Sequence, residues 1–239
     1  MATGPGAEHP ESRDSSPATP AQAQAPAQAQ AQAQAQAPRL EPLPFEKWDD
    51  ETRSILLRYL RRPELYLSGA PDAPPMPKAL GLFAHHVQLS ETFLAFTGLF
   101  AGEHATLDPR HRELLILRVA WRTRSGYEWA QHTRIGMQVG LTTEQLYAIP
   151  HGAEAEVWTP VERALLAATD QMIDQSRVGD DTWQLLASHF DAGQLLELSF
   201  AVGGYLCLAA VLNSVGLQPD PPTEPVDAPA LPAEGDPSA

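Results

Sequence analysis

The 239-residue chain carries 16 basic and 30 acidic side chains, and its formal charge of -14 divides into -1 over residues 1–40, -8 over 41–218 and -5 over 219–239. Fifteen of its 23 prolines lie before residue 45 or after residue 218, among Ala, Gln, Ser and Gly, so both ends are expected to be disordered and to flank one domain over 41–218. An acidic balance without a basic stripe speaks against nucleic acid and anionic membrane surfaces as partners and for a small-molecule substrate or another protein. The single cysteine, Cys207, excludes an intramolecular disulfide framework, and no Cys/His group has zinc spacing, so no metal or cofactor is expected. The N-terminus has neither the basic region nor the apolar run of a signal peptide, and the expected location is the cytoplasm.

Residues 21–38 alternate Ala and Gln, a helix-permissive composition with no apolar face to dock, and read as a tether. From Phe45 the pattern changes: Phe45, Trp48, Ile55, Leu56, Tyr59 and Leu60 recur at helical spacing, and Pro63 ends the run. Four prolines make 68–77 a loop. A helix over 78–100 follows, with a break expected near 86–90. Asp108 before Pro109 is an N-cap with proline in the first helical position, opening a helix that carries Leu114, Leu115, Leu117 and Val119 to about Arg124. Ser125 and Glu128 have the spacing of a capping box and predict the start of a helix closed by Gly140. Thr142 with Gln145, and Thr159 with Pro160 and Glu162, repeat that signal. The final segments predict helices over 181–190 and from about 191 to Gly216. The last holds an uncharged run from Leu198 to Leu212, expected to be a buried central helix, with Gly203 and Gly204 marking close approach of a neighbour. No segment alternates as a half-buried strand does, so the predicted fold is all-α.

The densest concentration of chemistry is HRELLILRVAWRTRSGYEWAQHTRIG, residues 111–136. Glu128 and His132 stand four apart and share a helix face, a placement that lets a carboxylate orient or charge an imidazole. Glu113, one helix earlier, reaches His132 if the two helices fold back across Ser125 and Gly126. Read on pattern alone, Ser125 and Glu128 serve equally well as a helix cap, and His132 as a core-edge residue.

These residues resemble the carboxymuconolactone decarboxylase family, which includes the alkylhydroperoxidase D-like proteins. The similarity covers about residues 75–216, through PKALGLFAHHVQLSETFLAF, RELLILRVAWRTRSGYEWAQHTRIGMQVGLT, ERALLAATDQ and LLELSFAVGGYLCLAAVLNSVG. The resemblance implies an all-α fold and a homo-oligomer such as a trimer or hexamer. In the peroxidase branch a glutamate, eleven residues, a cysteine, two residues, a cysteine, three residues and a histidine form the motif. On this chain those positions are Glu113, Ser125, Glu128 and His132, with Tyr127 where a relay histidine often stands. Both thiols are gone, and neither Ser nor Glu passes through sulfenic acid to disulfide. The other branch decarboxylates a carboxylated lactone without a cofactor. That branch implies His132, Glu113 and Glu128 as catalytic acid/base groups on a small carbonyl or lactone-type compound, by decarboxylation, isomerisation, dehydration or ring opening. Tyr127, Ser125, Trp129, Arg134 and His85 are the candidate substrate-binding residues, and Arg118, Arg122, Arg124 and Arg134 candidate carboxylate anchors. A non-catalytic binding or assembly module, and a thiol peroxidase using Cys207, are the alternative readings.

Overall fold

The computed structural model describes residues 37–71, 73–100, 102, 104–221 and 225–232, so the Ala-Gln arm before Ala37 lies outside the described residues. Among the described residues every regular element is helical. Ten α-helices follow in order: α1 Asp50–Leu56, α2 Pro63–Tyr66, α3 Lys78–Phe83, α4 Val87–Gly98, α5 Pro109–Arg122, α6 Gly126–Gln138, α7 Thr143–Ala148, α8 Pro160–Gln175, α9 Asp180–Ala187 and α10 Ala192–Val215. Short 3-10 turns at Phe45–Lys47, Leu57–Tyr59, Ala84–His86 and Ile149–Glu154 join some of them. The expected break in the second long segment is the Ala84–His86 turn. The helices expected to open at Thr142 and Thr159 do so with complete capping boxes, and Asp191 with Gln194 makes a third.

Helix α5 is the axis of the packing. Leu114, Leu115, Ile116, Leu117, Val119 and Ala120 are all almost fully buried. One side of α5 shares a core with α8, α9 and α10 through Leu165, Ala168, Leu186, Leu195, Leu198 and Val202. The other shares a core with α6 and α7 through Trp129, Leu141 and Leu146. Close approach is set by glycine at two positions. A Cβ on Gly204 would stand 3.0 Å from the Phe96 ring of α4, which explains one of the two adjacent glycines in α10; Gly203 has open space and no such neighbour. Gly152, at φ +58, lies where a Cβ would come within 2.7 Å of the Arg118 guanidinium.

Two expectations are corrected. Helix α10 is long and apolar enough by length and composition to cross a bilayer, and it packs in the core through Leu195, Leu198, Val202 and Leu212. It is not buried all round, however: Leu196, Phe200, Cys207 and Val211 are exposed. Its uncharged run therefore reflects two apolar faces, one inside the domain and one outward.

The second correction concerns the C-terminus, expected to be disordered from residue 219. Residues 219–221 and 225–232 lie on the helical body. Asp220 accepts hydrogen bonds from the Lys78 backbone N–H (3.0 Å), the Tyr127 hydroxyl (2.6 Å) and the Gln131 amide (2.9 Å), while Lys78 Nζ donates to the Pro219 carbonyl at 2.7 Å. The Lys78 contact supplies an acceptor to the first residue of α3, whose N-cap, Pro77, offers none of its own. Val226, Ala228 and Leu231 pack against the core around Trp129, whose indole donates to the Pro229 carbonyl. Replacing Asp220 with Ala leaves these donors without their carboxylate. Asp220→Ala is expected to lower the unfolding free energy by about 1–3 kcal/mol in chemical denaturation, and an unchanged midpoint would show the segment to be detached in solution.

Candidate active site

The largest cavity that bears on the predicted chemistry, about 830 Å³, opens between the Leu57–Tyr59 turn and helices α5, α6 and α10. Glu113 and Arg112 enter it from α5, His132 from α6 and Tyr205 from α10. The turn between α5 and α6 is what brings them together. Arg124, at φ +54, and Ser125 reverse the chain, so α6 folds back along α5 and the Glu113 and His132 side chains meet.

His132 Nδ1 lies 2.7 Å from Glu113 Oε2. A carboxylate accepts, so the imidazole donates through Nδ1, which leaves Nε2 as the basic nitrogen of a neutral ring. Glu113 is 2% exposed and its other oxygen faces Arg112 Nε at 3.4 Å, so its charge is shared between a fixed cation and the ring it orients. The Tyr205 ring stands edge-on to the imidazole, 5.1 Å between centroids. Burial first, and then the nearby carboxylates of Glu113 and Glu128, hold the Tyr205 phenol far above its usual range, so it remains a donor at any physiological pH.

Glu128 sits behind this pair. Both of its oxygens are buried without a hydrogen-bond partner, and so is the Ser125 hydroxyl. The expected capping box at Ser125 is therefore absent: no side-chain bond caps α6, because Glu128 turns inward rather than back to the chain start. Burial pushes the Glu128 carboxyl up to about 7, against the opposing pull of the Ser125 hydroxyl nearby and of His132; with no bond formed to that hydroxyl, burial dominates.

Of the predicted catalytic residues, the structure joins His132 and Glu113 at the cavity wall and leaves Glu128 buried near them, outside the cavity lining. It does not bring the five substrate-binding candidates to the cavity. Tyr127 donates to Asp220, Ser125 is fully buried, and Trp129 packs edge-on to Trp121 at 5.3 Å and donates to Pro229. Arg134 bonds to Gln131 away from the cavity, and His85 donates from Nε2 to the Glu41 carbonyl, 2.8 Å away, beside a separate apolar hollow that also includes Cys207. The expected arginine anchors are likewise engaged elsewhere. Arg118 forks onto Asp170 at 2.8 and 2.9 Å, Arg122 bridges Asp170 and Asp174, and none of the four lines the cavity. Sequence pattern did not point to Tyr205, Arg112 and Arg61, which reach the cavity from an uncharged run, from beside Glu113 and from the first helical segment. Cys207, expected to be buried, is exposed and lies away from His132. Among the described residues, no group of three or more His, Cys, Asp or Glu is arranged to hold a metal ion.

The Glu128 environment has a measurable consequence. Its folded value lies above its ordinary one of 4.5, so the folded state holds a proton that the unfolded state has released. Stability that burial of the neutral acid provides is complete below about pH 4.5 and is lost as pH rises towards 7, by about 3 kcal/mol at most. Urea titrations should show this decline in the native protein and its absence in Glu128→Gln, whose neutral amide makes the variant the more stable of the two at pH 8.

Residues 89–171 match the model of the carboxymuconolactone decarboxylase family. The uncharacterized protein YdfG of Bacillus subtilis is 24% identical over 98 residues, 40% of this chain and 67% of that one. An alkylhydroperoxidase AhpD core structure, of an uncharacterized peroxidase-related protein from Ralstonia eutropha, superposes with a TM-score of 0.63 at 16% identity over 77% of this chain and 92% of that one. The debrominase Bmp8, in a cysteine-to-alanine variant bound to 2,3,4-tribromopyrrole, gives a TM-score of 0.57 at 13% identity, covering 74% of this chain and 89% of its own. Over residues 89–171 the chain is therefore similar to the carboxymuconolactone decarboxylase family, and its all-helical architecture is the alkylhydroperoxidase D-like fold.

Proposed function

We propose that the protein is a cofactor-independent enzyme that moves a proton at the carbon next to a carbonyl in a small compound. The observation that carries this reading is the Glu113–His132 contact of 2.7 Å at the wall of the cavity. His132 Nε2 removes the proton, and Glu113 holds the ring in the tautomer that makes this possible. The electron pair of the broken C–H bond moves onto the carbonyl oxygen, where the Tyr205 hydroxyl donates a hydrogen bond to the developing enolate. The imidazolium then returns its proton to the same carbon, to a neighbouring one, or to a leaving group. Isomerisation, dehydration and ring opening differ only in the fate of that enolate; decarboxylation reaches it instead by breaking the bond to a carboxylate, whose electron pair moves onto the carbonyl oxygen as carbon dioxide leaves, and a protonated His132 then supplies the proton to carbon. Glu128, half-protonated near neutrality, adjusts the charge the site presents beneath His132. Tyr205 thus takes the substrate-binding place expected of Tyr127.

Peroxide reduction has no support in these residues, since the motif positions of the two thiols hold Ser125 and Glu128 and Cys207 lies beside another hollow. The neighbour seen with a tribrominated pyrrole is itself a protein of this fold holding a compact ring, a size that suits a cavity of about 830 Å³. Incubation of the full chain with small carbonyl compounds in deuterated water tests the proposal whatever the final product is. The native protein should wash deuterium into the carbon beside the carbonyl, and His132→Ala and Glu113→Gln should each slow this about 100-fold or more. Wash-in at the native rate by both variants would end the assignment.

We also propose that the protein works as a homo-oligomer. The support is the outward face of α10, where Leu196, Phe200, Gly203, Cys207 and Val211 follow steps of four and three, the seam that another helix fills. The small Gly203 near its middle admits a close crossing by a second copy. Phe200→Glu, exposed and outside the core, is expected to convert the oligomer to monomer in light scattering while leaving helix content intact; a monomeric native protein would refute this.

A further inference from the structure

The cavity's charge runs against that of the molecule. The chain carries -14 overall, whereas the charged side chains lining the cavity are Arg58, Arg61, Arg112 and Glu113. Two of the arginines have carboxylates of their own: Arg58 pairs with Glu91, and Arg112 with Glu113. Arg61 is exposed, and among the described residues it has no ion-pair or hydrogen-bond partner. Arg112 adds a second feature. Its side chain is nine-tenths buried, with Nε at Glu113 and Nη1 donating to the Phe100 carbonyl at 2.7 Å. No described residue engages Nη2, and Nη2 is not among the sealed, unsatisfied polar atoms, so that edge of the guanidinium opens to the cavity it lines. A rigidly held N–H edge on one wall and an unclaimed cation at the rim, set in a surface of opposite net charge, form a grip for an anion. Much of the remaining wall is apolar, with Leu60, Leu107, Ile135 and Val139 beside Tyr59 and Gln138.

We propose that Arg61 and Arg112 together bind the carboxylate of a small organic acid, and so determine which carbonyl compounds reach His132. Arg61 lies outside the matched residues 89–171, so the rim is contributed by the segment preceding the family's own region. Arg61 captures the acid at the mouth. Arg112 orients it within the cavity through one N–H, while its bond to Phe100 prevents it from following the ligand out. The apolar wall takes the carbon skeleton. This inference rests on the cavity being the active site, but binding can be read without turnover.

The test is calorimetric titration of the full chain with benzoate and cyclohexanecarboxylate, against benzamide and cyclohexanecarboxamide as uncharged counterparts. At least one acid should bind saturably, at least 10-fold more tightly than its amide, and more weakly as salt rises. Arg61→Gln should weaken the acid about 10-fold without altering the amide or the unfolding midpoint, and Arg61→Lys should recover part of the loss. Arg112→Gln should weaken it further; if that variant is unfolded by circular dichroism, the Arg61 pair of variants decides alone. Equal affinity for acid and amide, no binding of either acid, or an unchanged acid affinity in Arg61→Gln would overturn the proposal. Acid binding through Arg61 in a protein that washes in no deuterium would uphold this inference and refute only the catalytic reading. Wash-in with no dependence of binding on Arg61 would do the reverse.

Discussion

The burial of charge on α5 is the constraint from which most of the remaining architecture follows. A helix enclosed on nearly every side carries Arg112, Glu113 and Arg118, each at most 8% exposed. An ionised group there is tolerable only when paired and hydrogen-bonded. Arg118 meets that requirement with Asp170 of α8 and with the carbonyls of Ile149 and Pro150 at 2.7 and 3.0 Å. Those bonds fix the turn after α7 against α5 and leave room at Gly152 for hydrogen alone. Arg110, at the start of α5, likewise reaches Glu162, the residue that completes the α8 capping box. One helix's cations thereby specify where another helix begins and how it lies.

Glu113 imposes the same demand on α6, and meeting it creates the site. Its oxygens are divided between Arg112 and His132, so α6 can adopt only a rotation that brings His132 to α5. That rotation has two further results. It turns Glu128 into the interior, where no described residue answers its oxygens, and it brings Tyr127 and Gln131 to the Asp220 carboxylate. The C-terminal segment and the Glu113 carboxylate therefore hold different faces of one helix, and anything that releases Asp220 acts on the helix that carries His132.

Sequence signals were sufficient wherever the determining interaction is local. Thr142 with Gln145 and Thr159 with Glu162 make the boxes their spacing predicts, because each box closes within one turn of chain and needs no other part of the fold. Ser125 with Glu128 has the same spacing and makes none, because the turn folds both residues into the core and the glutamate's position is set by packing. The Glu113–His132 contact was legible through the family's spacing. Tyr205 was not: a tyrosine within an uncharged run reads as packing, and only the placement of Gly204 against Phe96, beside it, shows why α10 comes so near at that point. Arg61 gave no signal either, since an arginine near the end of an amphipathic segment is ordinarily a solvated charge. The apolar exterior of α10 was misread for a related reason. Composition reports that a helix is apolar on both faces but not that one of them lacks a partner among the described residues.

The carboxyl group at position 128 bears directly on the chemistry proposed for this architecture. In the peroxidase pattern a thiol occupies that place, and its usefulness lies in donating an electron pair to oxygen and later to a second sulfur. A carboxyl group in the same buried place can do neither. It can hold or release a proton, and burial has moved that event to about 7. Its neighbours suit the same role. His132 is held in one tautomer by Glu113, and the Tyr205 phenol is kept protonated by burial and by the two carboxylates near it. A carboxyl, an imidazole and a phenol, gathered on helices shared with the peroxidase-related structures, can each hold or donate a proton and none is a thiol, and this is what supports the proposed proton chemistry over electron exchange.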